Sequence, residues 1–522
     1  MMKRLFIYSA IVVFGLGSCT KDFDELNTDP DNLTEVGARE RPFMFAKAQS
    51  SSAMNRSFYQ TVQNLGPDLY AQYFALTTTS FRTDRYALTP DWQRRFWTVV
   101  YVDTAPQLKS IMDNVEEDSG EGALANILWV YAFHRLTDQF GPIPYFQAAE
   151  PIDVIPYDPM DKIYDDFFVR LTKAVEALKA LPAGTTVYQG YDLMYDGNLD
   201  NWIRFANSLR LRLALRISKV DPERAKTEAE AAVASGVMED NGHNASLAKA
   251  LEGNDTNGLA QVAMWNEFAM SSTIASYLKG YEDPRLGIYF QPSANGDQFN
   301  SLRNGITTTD LGVSRNQANA NSNVGEYWVA YSGSTEADNL VIEGNLTQRQ
   351  QVMCAAESYF LRAEGALNGW NMGADAKSLY EDGIRMSLAQ WEVRDEDAIA
   401  VYLTTTNTPV APGDYHESPA VASTPVIWAA TEATQREQIG VQKWLAIFPD
   451  GMEAWTEFRR SGFPKMYDLI QSENADLPIG TFIKRMPFPL TEETSNMEEL
   501  TKGRALLGGE DNAATTLWWD ID

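Results

Sequence analysis

Between Met160 and Leu181 apolar residues recur at every third or fourth position: Ile163, Phe167, Leu171, Ala174, Leu178 and Leu181. That spacing follows the turn of an α-helix and predicts an amphipathic one, which Pro182 ends. From Trp202 to Ile217 the chain is apolar nearly all round, interrupted by Arg204, Arg210, Arg212 and Arg216. A helix apolar on most sides is buried, so its arginines either snorkel to water or pair with carboxylates, a structural role. Ala225, Ala229 and Ala232 repeat at three and four in a further helix. Between 355 and 390 two helices follow one another. The first carries Tyr359, Ala363 and Ala366 on one stripe, Gly369 and Gly373 supply the turn, and the second aligns Ala376, Leu379, Tyr380, Gly383, Ile384, Ser387 and Leu388. Small residues on facing stripes let two helices approach closely. The expected fold class is therefore mostly α, built of helix hairpins.

Two segments break this pattern. Residues 290–347 are rich in Asn, Ser, Gly and Thr, and 404–436 in Thr, Ala and Pro. Loops of that length in a compact protein are functional or disordered. Helical periodicity resumes after each, so 41–522 reads as one large domain with loop insertions near 290–347 and 404–436.

The N-terminus follows another logic. Lys3 and Arg4 precede an apolar run from Leu5 to Leu16, then the small residues Gly17 and Ser18. This is the layout of a secretory signal, and the run is shorter than the ~20 apolar residues that span a bilayer as a helix. Leu16-Gly17-Ser18-Cys19 resembles the lipobox of bacterial lipoproteins, in which the cysteine is acylated and becomes the first residue. Residues 1–18 are then a signal peptide, and 19–40 a lipidated tether carrying Asp22, Asp24 and Glu25. Two or more acyl chains anchor a protein stably without spanning the membrane. Lys21-Asp22 behind the cysteine also resembles the export signal of Bacteroidetes surface lipoproteins.

The formal charge of −28 over 522 residues repels phosphate backbones, so nucleic acid is not an expected partner. Cys354, the second of two cysteines, lies in the helical context Val352-Met353-Cys354-Ala355-Ala356 and reads as a buried small hydrophobe.

Catalytic signatures are missing. No Gly-x-x-x-x-Gly-Lys-Ser/Thr or Gly-x-Ser-x-Gly occurs, and His134, His243 and His416 have no zinc-like spacing. His134 lies on a helical stretch and reads as structural. Two carboxylates could serve a glycosidase, but among 71 acidic residues the sequence singles out no pair. Asp192 to Asp200 offers oxygen ligands near Gly197 without the EF-hand register, and reads as a turn rather than a calcium site. No cofactor and no metal is expected, and the chain reads as a binding protein rather than an enzyme.

What the irregular segments do offer is aromatic rings beside amides and arginines. Sugar rings stack their C–H faces on Trp and Tyr while their hydroxyls bond to Asn, Asp and Arg, and binding sites combine an apolar platform with a few polar groups. Candidate ligand-binding residues are Tyr70, Tyr73, Arg82, Trp92 and Trp97, then Phe290, Tyr327, Trp328 and Tyr331.

In order along the chain, several stretches carry a likeness. They are the lipobox with its acidic follow-on; Asp138-Gln139-Phe140-Gly141-Pro142-Ile143-Pro144-Tyr145; Tyr195-Asp196-Gly197-Asn198 leading to Trp202 and to Asn207 through Arg212; Asp283-Pro284-Arg285; Glu357 to Ala366; and Gln442-Lys443-Trp444 through Trp455 to Phe458-Arg459-Arg460-Ser461-Gly462-Phe463-Pro464. Together they resemble the SusD/RagB family of Bacteroidetes outer-membrane lipoproteins, most closely its SusD-like branch. The resemblance implies a single large domain with tetratricopeptide-like helix hairpins and long irregular ligand-binding loops. It also implies a lipid-anchored cell-surface protein, facing the exterior, that binds oligosaccharides or other nutrients and delivers them to a SusC-like TonB-dependent transporter. A peptide-binding member of the family, a surface glycosidase, and an assembly protein that closes the transporter without ligand are the alternatives. No binding-site motif is shared across the family, so the aromatic candidates stand on loop context alone.

Overall fold

The computed structural model describes residues 36–296, 298–333 and 340–521, so the signal, Cys19 and most of the tether lie outside the described residues. Eight helices form the scaffold: α1 (Gly120–Phe140), α2 (Met160–Ala180), α3 (Leu199–Arg216), α4 (Pro222–Ser235), α5 (Ala355–Leu367), α6 (Ala376–Gln390), α7 (Glu432–Ala446) and α8 (Gly451–Ser461). Each odd-numbered helix packs on the next, and the pairs join through α2–α3, α3–α5 and α5–α7. The chain is thus a mostly helical single domain. Among the described residues no helix is long and apolar enough to cross a membrane.

Local chemistry sets the helix limits. α3 begins three residues before Trp202 because the side chain of Asn198 accepts the Asn201 N–H at 3.1 Å and caps the first turn. In α6 the expected stripe is buried from Leu379 to Leu388. The stripe on α5 is corrected by one position. Phe360, not Tyr359, meets α6, and a Cβ on Gly383 would stand 2.9 Å from the Phe360 ring. Tyr359 turns away to donate its hydroxyl to the Glu239 carbonyl at 2.9 Å. Both rings satisfy a helical period, but only the phenol needs an acceptor, and that need sets the phase.

The arginines of α3 pair rather than snorkel. Arg204 donates to the Val237 carbonyl and Arg210 to Glu228. Arg212 makes two bonds of 2.7 Å to Glu357, and Arg216 donates to Glu453 at 2.6 Å with Asp138 at 3.5 Å. Asp138, near the end of α1, also accepts from Tyr164 at 2.5 Å and from the Trp519 indole at 2.9 Å. All five charged residues of this knot, Arg212, Arg216, Glu357, Glu453 and Asp138, are closed to water. Burial alone would raise the Glu453 carboxyl, but Arg212, Arg216 and Lys443 outweigh it and hold it down at about 2. Nearby, burial and then Arg212 and Arg135 keep the His134 imidazole well below its ordinary range, while its Nδ1 lies 3.0 Å from the Val130 carbonyl. Burial pushes the Cys354 thiol up to about 12.

Three two-stranded antiparallel sheets pin the loops to this scaffold: β1 (Phe74–Leu76) with β3 (Phe268–Met270), β2 (Ala245–Leu247) with β6 (Gln350–Met353), and β4 (Val329–Gly333) with β5 (Leu340–Gly344). Polar side chains of the segment that follows Phe290 tie it to the elements it lies on. The Asn304 amide donates to the Phe74 carbonyl and to Asp84 at 2.8 Å, and the Asn323 amide to the Ala263 carbonyl at 3.0 Å. The 404–436 segment is strapped down likewise, its Thr424 and Val426 carbonyls taking the hydroxyls of Tyr281 and Tyr380.

Removing Glu357 takes away both short bonds to Arg212 and leaves it only the more distant Glu453, at 3.7 Å. Glu357→Ala is therefore expected to cost about 3 kcal/mol in a denaturant titration, and Arg212→Met combined with Glu357→Leu to recover only part of it, because Glu453 then keeps Arg216 but loses Arg212. Glu453 is ionised in the folded state well below the ordinary carboxylate value of 4.5, so its stabilisation is complete above that pH and is lost as pH falls through about 2. Unfolding midpoints should drop across this window, and less steeply in Glu453→Gln.

Candidate functional site

A cavity of about 1190 Å³ opens where the β2–β6 ladder meets the end of α6 and the approach to β4. Antiparallel pairing sets Ser246 against Gln351, which brings Asn244 and Ser246 beside Gln350 and Gln351 on one wall. α6 stops at Gln390, and the chain turns through Glu392 with φ of 63°, so that Gln390, Trp391 and Arg394 also face the space. Tyr327 and Trp328 complete an aromatic cluster. Trp391 lies edge-on to Tyr327 at 5.3 Å and tilted against Trp328 at 5.6 Å, while Tyr327 meets Trp328 edge-on at 5.0 Å. Tyr327 and Trp391 are half-buried, and Trp328 is only 2% exposed. The indole Nε1 of Trp391 has no acceptor among the described residues.

The opposite wall is a turn built around one carboxylate. Asp192 Oδ1 accepts from Gln49 at 2.7 Å and from the Met194 and Tyr195 N–H groups; Oδ2 accepts from the Gly197 N–H and, at 2.7 Å, from the Trp202 indole. This explains the spacing from Asp192 through Gly197 to Trp202: the acid ties the turn to α3. Gly197 stands at φ of 82°, where a Cβ would meet the Val187 carbonyl at 2.8 Å, so glycine is required. Arg349 crosses from β6 to the same turn, donating to the Met194 carbonyl at 3.0 Å and to Ser246 at 2.9 Å.

The floor is charged but neutralised. Arg135 pairs with Asp450, and Gln63 donates to the Pro449 carbonyl at 3.3 Å. Just beneath, burial pushes the Asp68 carboxyl up to about 7 against hydrogen bonds from Gln63 and Tyr59. Each carboxylate lining the cavity has a donor: Asp192 the set above, Asp196 the Gly190 N–H at 2.7 Å, Glu392 the Arg394 guanidinium, and Asp450 Arg135. Among the described residues no three His, Cys, Asp or Glu side chains are grouped to hold a metal ion. The arrangement offers rings to stack on and amides to bond to.

Of the residues expected from sequence, Tyr327 and Trp328 line this cavity. The others lie elsewhere. Tyr73 and Phe290 are fully buried, Tyr73 stacked on Trp444 at 5.1 Å with its hydroxyl on the Trp444 carbonyl, and Phe290 against Phe448 at 5.4 Å. Tyr70 is buried edge-on to Trp455 at 5.4 Å, and Trp97 packs on Phe140 at 5.3 Å. Trp92 is half-buried against Phe81, while Arg82 is exposed and paired with Glu473. Tyr331 sits on β4, its phenol pushed up to about 12 by burial. Sequence reasoning missed Trp391, Gln390, Arg349, Tyr195 and Asn244. Trp391 alone left a signal, as a large ring directly behind a helix end among charged residues.

Comparisons with known proteins bear on this geometry. Residues 25–520 match the family model described as SusD-like, SusD and RagB outer membrane lipoprotein. A chitin-binding SusD homologue from Flavobacterium johnsoniae is 33% identical and superposes with a TM-score of 0.83, covering 92% of this chain and 98% of that one. A SusD homologue from Bacteroides vulgatus is 31% identical, with a TM-score of 0.82 and coverage of 92% and 98%. One from Bacteroides uniformis is 30% identical, with a TM-score of 0.79 and coverage of 92% and 99%. None of the curated proteins compared matches the chain. The helical scaffold, the strand-pinned loops and these matches agree, and the chain belongs to the SusD/RagB family of outer-membrane lipoproteins.

Proposed function

We propose that this chain binds an oligosaccharide in the Tyr327–Trp391 cavity at the outer face of the outer membrane and delivers it to a TonB-dependent transporter. The observation that carries the reading is the lining itself: three clustered aromatic rings opposed by Asn and Gln amides and Arg349, in about 1190 Å³ of space. Such a lining suits a neutral, hydroxyl-rich ring compound, whose faces stack and whose edges hydrogen-bond. The chitin-binding relative makes β-linked N-acetylglucosamine polymer the ligand of this proposal. Binding without turnover is supported by the engaged state of every lining carboxylate. The lipid on Cys19, the outward orientation and the hand-over to the transporter belong to the same proposal, and rest on the N-terminal sequence and on the family.

A soluble form beginning at Thr20 keeps every described residue. In native gels containing a soluble chitin derivative it should be retarded, with no sugar released. Retardation with release would mean that the chain is an enzyme, and no retardation would remove chitin as the ligand. Trp328→Ala is a poor probe, because emptying a buried indole site costs about 3–5 kcal/mol of stability. Tyr327→Ala is the cleaner variant. It should weaken chitooligosaccharide binding by about tenfold in calorimetry, equivalent to ~1.4 kcal/mol, with a thermal midpoint lowered less than in Trp328→Ala.

A further inference from the structure

A second cavity, of about 1070 Å³, lies on the far side of the Asp192 turn. Tyr195, Asp196 and Asn201 line both spaces, so the two are separated by a single thin divider. Tyr195 is its buried base, the hydroxyl fixed on the His243 carbonyl at 2.8 Å. Its crest is Asp196, exposed and tied to the Gly190 N–H, and half-buried Asn201, which reaches the Gly242 carbonyl at 3.4 Å. The crest therefore presents polar groups to whatever passes over it.

The two sides differ in chemistry. The first carries the aromatic cluster. The second has no tryptophan or phenylalanine, only the shared Tyr195 and the imidazole of His243, and offers the exposed hydroxyl of Thr186 and amide of Gln189. Pockets of about 300–1,000 Å³ already enclose a compact small ligand, so either cavity alone suffices for one. A ligand that makes use of both must be long, flexible enough to cross a low ridge, and polar along its edges. The chain charge of −28 disfavours a polyanion, and the glycan reading above supplies a neutral chain.

We propose that the ligand is an extended neutral polysaccharide that crosses the Asp196–Asn201 divider, stacked on rings in the first cavity and hydrogen-bonded in the second. This rests on the glycan-binding reading above and adds to it the length of the bound segment and the path it takes.

The test is calorimetry of the form beginning at Thr20 with chitobiose and chitohexaose, repeated on the double variant Thr186→Ala/Gln189→Ala. Both substituted side chains are exposed, and Gly197 and Asp192 hold the turn without them. The hexamer should bind at least about tenfold more tightly than the dimer, more than the few-fold statistical gain that repeated units give on one site. The double variant should lose most of that gain while binding the dimer as before. Equal affinities for dimer and hexamer would overturn the extended path and leave glycan binding in place. A length gain that survives the double substitution would overturn the part given to the second cavity. Absence of binding at any length would overturn the chitin reading and this proposal with it.

Discussion

The structure depends on a few charges that have no access to water. Arg212 and Arg216 on α3 are held between Glu357 of α5, Glu453 of α8 and Asp138 of α1, so one knot fixes the relative placement of four helices. Taking an ion out of water costs several kcal/mol, and mutual attraction offsets this only when the geometry is close. Leucines in the same places would let the helices slide by a fraction of a turn with little penalty. A bidentate arginine would not, because a small slip leaves a bare charge. What the knot contributes is register, and the loops that form the cavity inherit their positions from it.

That dependence explains what the sequence made legible. The periodic helices, the small-residue stripe on α6 and the need of the α3 arginines for partners all follow from local spacing. The partners themselves do not: Glu357 and Glu453 stand 145 and 237 positions from the arginines they hold. The phase of α5 was read one residue off because apolar pattern treats Tyr359 and Phe360 alike, while the fold distinguishes them by where a hydroxyl can be satisfied.

The cavity was less legible than the scaffold for the same reason. Aromatics in polar sequence suggested a pool, and the pool mixed two kinds of residue. Tyr73 and Phe290 are core residues, and polar residues that follow Phe290, such as Asn304 and Asn323, bond to the carbonyls of Phe74 and Ala263 rather than to a ligand. The β2–β6 pairing joins residues about a hundred positions apart and so brings Ser246 and Gln351 to one wall of the cavity, which no local spacing foretells.

The closed environment of Cys354 has a consequence for a protein of the outer membrane. Disulfides form and exchange through the thiolate, and an oxidising setting favours them wherever that anion is exposed. A thiol raised to about 12 and sealed between α5 and the Ala446 carbonyl is neither ionised nor reachable at neutral pH. The folded chain therefore stays chemically silent to thiol reagents until it opens.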